Sequence, residues 1–108
     1  MKKFINGVDQ VEDQMIQGMV KAYPKHLRKL ECGNVVVRAE KKEGKVALIS
    51  GGGSGHEPAH GGFVGRGMLD AAVAGAVFTS PTPDQILEGI KAIATDKGVL
   101  MVVKNYTG

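Results

Sequence analysis

The residues best suited to chemistry lie in one glycine-rich segment, residues 51–62, which reads GGGSGHEPAHGG and contains six glycines in twelve positions. Glycine lets the backbone approach a ligand closely, and a run of open amide N–H groups can hold the oxygens of a small polar ligand. His56 adds an imidazole, which can transfer a proton to or from a hydroxyl near neutral pH. The segment predicts a ligand-binding loop with His56 as its proton-transfer group. The alternative is a plain turn in which His56 only hydrogen-bonds the loop.

The spacing of this segment excludes the common nucleotide and serine-nucleophile motifs. G-x-G-x-x-G fails because His56 or Pro58 stands at its last position. G-x-x-x-x-G-K-[ST] fails because Val46 follows Gly44-Lys45, and G-x-S-x-G fails because His56 replaces its last glycine. No standard nucleotide-binding signature is therefore present in the chain.

The residues His56–His60 match H-E-x-x-H, the pattern of zinc hydrolases, in which both histidines lie on one face of a helix. Pro58 breaks a helix that contains both histidines, and if it begins a helix instead, His56 lies outside that helix. The longer zinc pattern also fails, because Phe63 and Arg66 stand where glycine and histidine are required. We expect no bound metal, which elemental analysis for zinc would check, and we interpret His60 as packing behind the loop.

Two other polar residues have simpler interpretations. Lys104 ends an apolar run, where it can bind an anionic or carbonyl oxygen, and a solvated lysine at a strand end is the equal alternative. His26, beside Lys25 and Arg28, is interpreted as a solvated surface residue.

The elements that position these residues follow from apolar periodicity and turn residues. Apolar residues at three- and four-residue spacing predict an amphipathic helix from Val8 to Tyr23, ended by Pro24. Thr82-Pro83-Asp84-Gln85 has the capping-box pattern of a second helix, with Gly98 as its expected stop. Short apolar runs predict strands at Asn34–Ala39, Val46–Ser50, Ala72–Phe78 and Val99–Val103.

Strands that alternate with helices predict an α/β fold, a largely parallel sheet with flanking helices. Ligands of such sheets bind beyond the carboxyl ends of the strands, and both the glycine-rich segment and Lys104–Gly108 follow such ends. Because the chain stops directly after a predicted strand, we expect residues 1–108 to be the amino-terminal part of a larger domain.

Composition narrows the function classes. The chain has 108 residues, enough for one domain or less, and its 14 basic and 11 acidic residues give a net charge of +3 that is spread along the sequence. A nucleic-acid partner is not expected, because no basic stripe is present. No apolar run is long enough for a signal peptide or a membrane span, so no membrane association is expected. The single cysteine, Cys32, excludes an internal disulfide and fits a reducing compartment, which predicts the cytoplasm.

Four segments together carry a family resemblance: residues 51–60, 61–65, 78–83 and 103–108. In this order they resemble the amino-terminal part of dihydroxyacetone kinases, in the substrate-binding subunit or domain. The resemblance implies that residues 1–108 belong to a dihydroxyacetone-binding kinase domain. It implies that Gly53, Ser54, Gly55 and His56 contact the substrate, that His56 is the base toward the phosphorylated hydroxyl, and that Lys104 lines the same pocket.

The resemblance also implies partners. The nucleotide and magnesium are expected on a separate subunit or domain, with no cofactor bound by this chain, and the full-length protein is expected to be a homodimer. The opening MKKFIN is more similar to the subunit of a phosphoenolpyruvate-dependent phosphotransferase system than to the ATP-dependent form. The alternative is a non-catalytic, dihydroxyacetone-binding paralogue that acts as coactivator of a transcription regulator. Two residues of the family, an aspartate after Asn-Tyr-Thr-Gly and a later histidine that binds substrate covalently, would follow Gly108.

Overall fold

The computed structural model describes residues 11–31, 33–41, 43–52, 61–75 and 82–104. Two helices, α1 (Val11–Ala22) and α2 (Pro83–Ile93), accompany five strands: β1 (Leu27–Lys29), β2 (Val35–Arg38), β3 (Ala47–Gly52), β4 (Ala71–Val73) and β5 (Val99–Lys104). A short 3-10 helix spans Gly61–Phe63. Within the described ranges, neither helix is long and apolar enough to cross a membrane.

The five strands form one mixed sheet in the order β1-β2-β4-β3-β5. β3 is central to the parallel part and pairs with β4 and β5, whereas β2 pairs antiparallel with both β1 and β4. The α/β prediction is confirmed, with a sheet that is parallel over β4, β3 and β5 and mixed as a whole, because both pairings of β2 are antiparallel. β1 was not predicted, because its sequence Leu27-Arg28-Lys29 buries only Leu27 fully and carries no strand pattern.

Successive strand residues face opposite sides of the sheet, and in the described part of the chain one helix packs on each side, α1 against β1 and β2 and α2 against β2, β3 and β4. On the α2 face, Val35, Val37, Ile49, Val73 and Ile93 belong to one buried cluster. On the α1 face, Ile16, Leu27, Val36, Val64 and Ala72 form a second buried cluster. The fold is therefore a three-layer arrangement with the sheet between α1 and α2.

The start of α2 follows the prediction from sequence. The Thr82 hydroxyl accepts from the Gln85 backbone N–H (3.4 Å), and the Gln85 side-chain oxygen accepts from the Thr82 N–H (3.2 Å). These reciprocal bonds form a capping box, with Pro83 in the first turn.

Several predicted boundaries differ from the structure by one or more residues. The expected helix stop at Gly98 is wrong: α2 ends at Ile93, and Gly98 has φ +96° in the turn that leads into β5. The predicted strand Ala72–Phe78 is shorter, because β4 ends at Val73 and residues 76–78 lie outside the described ranges. α1 is described from Val11, and residues 8–10 of its predicted start lie outside those ranges, so that start stays a prediction.

Gly89 sets how closely α2 lies on the sheet. An alanine Cβ there would stand 3.0 Å from Ile49, 3.2 Å from Val73 and 3.4 Å from Val35, which is tighter than ordinary side-chain contacts. We expect Gly89→Ala to lower the free energy of unfolding by up to about 2 kcal/mol, since overpacking costs about 1–3 kcal/mol and the better helix propensity of alanine returns about 1 kcal/mol. Urea unfolding measures the difference.

The matched control for this prediction is Gly18→Ala in α1. Gly18 is an exposed glycine inside a helix, and a Cβ there meets no atom within 4 Å. Only the gain in helix propensity remains, so we expect Gly18→Ala to stabilise the protein by about 1 kcal/mol. Equal stabilisation by both substitutions would contradict a tight contact between α2 and the sheet.

Candidate functional site

The pairing of β3 with β5 defines one end of the sheet, called the carboxyl edge, where the parallel strands end. In the parallel register Gly51 is opposite Val103, and Gly52 is opposite Lys104. The backbone at the start of the glycine-rich loop therefore lies beside the backbone of Lys104, although the two are far apart in sequence. Gly53, Ser54, Gly55 and His56 lie outside the described residues, as does the Lys104 side chain, and their roles stay predictions.

β3 gives this loop a rigid origin. Ser50 and Gly51 are buried, and β3 lies between β4 and β5. A Cβ on Gly51 would contact Val73 at 3.7 Å, an ordinary packing distance, so the end of β3 is packed against β4. The segment that follows Gly52 therefore begins from a well-defined strand end.

Two further segments reach the carboxyl edge, and sequence reasoning did not place them there. β2 is antiparallel to β4, so the turn before it, Gly33–Asn34, lies at this edge, and the Asn34 carbonyl accepts from the Ala74 N–H (2.8 Å). Gly33 has φ +154°, and a Cβ there would collide with the side-chain amide of Gln85 in the first turn of α2. The capping-box pattern predicted the start of α2 from the sequence. No local sequence pattern indicates that β2 runs antiparallel, so the position of Gly33 at this edge could not be predicted.

The first turn of α2 lies at the carboxyl edge because α2 connects the end of β4 back to the start of β5. The N-terminal end of a helix carries a partial positive charge, which favours negative charge nearby. Asp84, exposed in the first turn, offsets part of this charge. The edge thus combines backbone from a glycine-rich segment, a strand-end lysine and a helix N-terminus, a set suited to a small ligand rich in oxygen atoms.

The metal and surface predictions have separate outcomes. Within the described ranges, no group of three histidine, cysteine, aspartate or glutamate residues could hold a metal ion. His56, Glu57 and His60 lie outside those ranges, so the expectation for the H-E-x-x-H match stays a prediction. His26 is exposed in the turn before β1, as predicted.

The opposite end of the sheet, called the amino edge, is held by Asp70. This residue is 1% exposed, and its carboxylate accepts from the Leu48 N–H (2.7 Å) and from Arg38 Nη1 (3.1 Å). Its backbone N–H donates to the Leu48 carbonyl (2.8 Å), and its carbonyl accepts from the Arg38 N–H (2.9 Å). Asp70 therefore ties β2, β3 and β4 together and maintains the strand order that forms the carboxyl edge. No sequence pattern had singled it out.

Comparison with known proteins agrees with this geometry. The chain is 62% identical over 108 residues to the "PTS-dependent dihydroxyacetone kinase 1, dihydroxyacetone-binding subunit DhaK" of Listeria innocua, covering 100% of the chain and 33% of that protein. The solved structure of the dihydroxyacetone kinase from C. freundii in complex with AMP-PNP and Mg²⁺ matches with a TM-score of 0.87 and 46% identity, covering 99% of the chain and 21% of the kinase.

A second solved structure is the "dihydroxyacetone kinase operon co-activator Dha-DhaQ", with a TM-score of 0.77 and 41% identity over 86% of the chain and 28% of the co-activator. The chain thus spans a third or less of the length of each of these relatives. The Dak1 domain matches residues 17–108, which include every described strand, α2 and the second half of α1. On this match and these identities, the chain belongs to the Dak1 domain family.

Proposed function

We propose that the protein binds dihydroxyacetone at the carboxyl edge and supports its phosphorylation to dihydroxyacetone phosphate, as the substrate-binding part of a kinase. The observation that carries the proposal is the β3–β5 register, which places Gly52, the entry to the glycine-rich loop, beside Lys104. Membership of the Dak1 family and 62% identity to a dihydroxyacetone-binding subunit support the choice of substrate.

The proposed mechanism assigns positioning to the loop and proton transfer to one histidine. Phosphoryl transfer to an alcohol depends mainly on alignment and charge stabilisation. The backbone amides of Gly53–Gly55 orient the substrate, and Lys104 binds one of its oxygens. His56 accepts the proton of the substrate hydroxyl as that oxygen forms its bond to phosphorus.

We place the nucleotide and magnesium on another subunit or domain. This is supported by the absence of a nucleotide motif from the sequence and by the C. freundii complex with AMP-PNP and Mg²⁺, a kinase of which this chain covers only 21%. The Listeria relative favours the phosphoenolpyruvate-dependent system over direct use of ATP.

We also propose that residues 1–108 are the amino-terminal part of a longer subunit, which is a homodimer. The support lies in β5, an edge strand whose apolar side chains are exposed on both faces: Leu100 (56%), Met101 (40%), Val102 (45%) and Val103 (57%). An exposed apolar edge strand of this kind associates with other chains unless it is paired with another strand or covered. The longer relatives have additional chain that can cover it.

The handedness of the crossover connections indicates on which face of the sheet we expect the additional chain beside β5 to pass. The connection from β3 to β4 includes Val64, which packs on the α1 face of the sheet. The connection from β4 to β5 runs across the sheet in the opposite direction and includes α2, on the other face. Both crossover connections therefore have the same handedness. A further parallel strand beside β5 would continue in the second direction, with its crossover on the α2 face. Leu100 and Val102, which share the α1 face with Leu48 and Ser50 in the register, are then covered by a different element.

Reconstitution tests the function. Full-length protein is incubated with dihydroxyacetone and the nucleotide-binding subunit of a phosphotransferase-type dihydroxyacetone kinase, with phosphoenolpyruvate and the phosphoryl carrier proteins or with ATP alone. We expect dihydroxyacetone phosphate to form in the phosphoenolpyruvate arm. Turnover with ATP alone would assign the ATP-dependent form, and light scattering of the same sample measures the oligomeric state.

The second candidate is a coactivator that binds dihydroxyacetone without phosphorylating it, and the structural match to Dha-DhaQ favours it. In the reconstitution it predicts saturable dihydroxyacetone binding by calorimetry without product in either arm. Absence of both binding and turnover would contradict both candidate functions.

A further inference from the structure

A polar cavity lies at the amino edge of the sheet, away from the candidate substrate site. Its volume is about 250 Å³, and five of the described residues line it: Lys25, His26, Arg38, Glu40 and Arg66. They come from three places in the chain, the turn after α1, the end of β2 and the bend that precedes β4. Convergence of three segments distinguishes this cavity from a run of charges along one element.

The base of the cavity is rigid. Arg38 is the last residue of β2, and its side chain is only 13% exposed, because its guanidinium donates to the Asp70 carboxylate, which is 2% exposed. The turn that carries Lys25 and His26 is attached to the same strand end, since the His26 carbonyl accepts from the Ala39 N–H (2.9 Å). Arg38 therefore has a fixed position, and the turn beside it is anchored.

Arg66 reaches the cavity from a well-defined bend in the chain. The Gly65 N–H donates to the Leu69 carbonyl (3.0 Å), and the Met68 N–H donates to the Gly65 carbonyl (3.0 Å). Gly67 has φ +78°, which glycine adopts without strain. The backbone on both sides of the cavity is thus organised before any ligand arrives.

The charges at this cavity are not matched within the described part of the molecule. Among the residues that the structure describes, no hydrogen bond or ion pair involves the side chains of Lys25, His26 or Arg66. By contrast, Lys29 pairs with Asp13 at 3.2 Å and Lys91 with Glu88 at 3.7 Å.

The balance of charge favours an anion. Among the described residues, Glu40 is the one carboxylate lining the cavity, and Asp70 neutralises Arg38. Lys25 and Arg66 therefore leave an excess of positive charge, which an anion between them would offset.

We propose that this cavity binds a small tetrahedral oxyanion of the orthophosphate or sulfate class. Lys25 and Arg66 donate charge-assisted hydrogen bonds, and Arg38 presents its remaining N–H groups from the base. The volume of about 250 Å³ suits this class, since sites for larger organic ligands occupy about 300–1,000 Å³. The site lies at the opposite sheet edge from Gly52 and Lys104, so it is independent of dihydroxyacetone binding.

Calorimetric titration of the full-length protein with inorganic phosphate, and separately with sulfate, at constant ionic strength tests the site. We expect saturable binding, weakened about tenfold by Arg66→Gln and about tenfold by Lys25→Gln, because each variant removes one charge-assisted hydrogen bond. Glu40→Gln removes the repelling carboxylate and is expected to tighten binding. Both cationic side chains are exposed, so circular dichroism should show unchanged folding.

Lys97→Gln is the matched control, because Lys97 is an exposed lysine in the turn before β5, at the same sheet edge, and does not line the cavity. We expect it to leave phosphate affinity unchanged. The absence of saturable binding of both anions would overturn the proposal, and so would affinities that Arg66→Gln and Lys25→Gln leave unaltered or that Lys97→Gln lowers equally. Binding of an acidic protein surface without binding of either free anion would also overturn it.

Discussion

Replacing His56 with asparagine is expected to lower the turnover of the full-length protein in the reconstituted kinase reaction by about 10²–10⁴-fold, the usual contribution of a positioned base. Asparagine is similar in size and can still hydrogen-bond the substrate, but it cannot accept the hydroxyl proton. Dihydroxyacetone affinity should therefore fall much less than kcat. Initial rates of dihydroxyacetone phosphate formation and calorimetric substrate titration measure the two quantities separately.

The companion substitution Ser54→Ala provides the control for a general disturbance of the loop. It changes a neighbouring side chain and leaves the glycine-rich backbone amides available to the ligand, so its effect on turnover should be milder. Near-normal turnover of His56→Asn would remove the base role and leave His56 as a residue that shapes the loop. Equal losses in both variants would indicate that loop structure, and not proton transfer, limits the reaction.

Removing the carboxylate of Asp70 is expected to have the largest effect on stability among the described residues. In Asp70→Ala the guanidinium of Arg38 loses its buried partner and the Leu48 N–H loses its side-chain acceptor at 2.7 Å. Breaking a buried pair by removing one partner costs about 3–5 kcal/mol, because a charge stays uncompensated in a water-poor site. Urea unfolding of the full-length protein, with the denaturant slope checked for two-state behaviour, measures the loss.

Two controls separate charge pairing from side-chain volume. Asp70→Asn retains an oxygen that can accept from Leu48 and removes the negative charge, so its loss of stability should lie below that of Asp70→Ala. Glu88→Ala breaks the exposed pair with Lys91, whose side chains are 46% and 63% exposed, and should change stability by less than about 1 kcal/mol. If Asp70→Ala costs no more than Glu88→Ala, Asp70 does not hold the three strands together.

Local sequence patterns were sufficient to predict the elements whose formation depends mainly on local interactions. The α2 start was predictable because the Thr82 and Gln85 side chains each accept from the other residue's backbone N–H, and Pro83 has no N–H that needs a partner. β2, β3 and β5 were predictable because each is a short run rich in β-branched and other apolar residues, although only β2 and β3 are largely buried and β5 is an exposed edge strand. The sequence predictions failed where long-range contacts determine the structure. β1 forms because it pairs with β2, and Gly98 has its positive φ in the turn that leads into β5.

By itself, the sequence determined the types of group available to the site: a glycine-rich loop after a buried strand, the imidazole of His56 and a lysine at the end of another strand. It could not determine which strands are neighbours, because pairing depends on contacts between residues that are distant in the chain. Only the tertiary structure placed Gly52 beside Lys104, brought Gly33 against Gln85 at the same edge, and buried Asp70 between Arg38 and Leu48 at the other. The physical reason is that side-chain chemistry is local, whereas the burial and hydrogen-bond satisfaction that select strand order belong to the whole sheet.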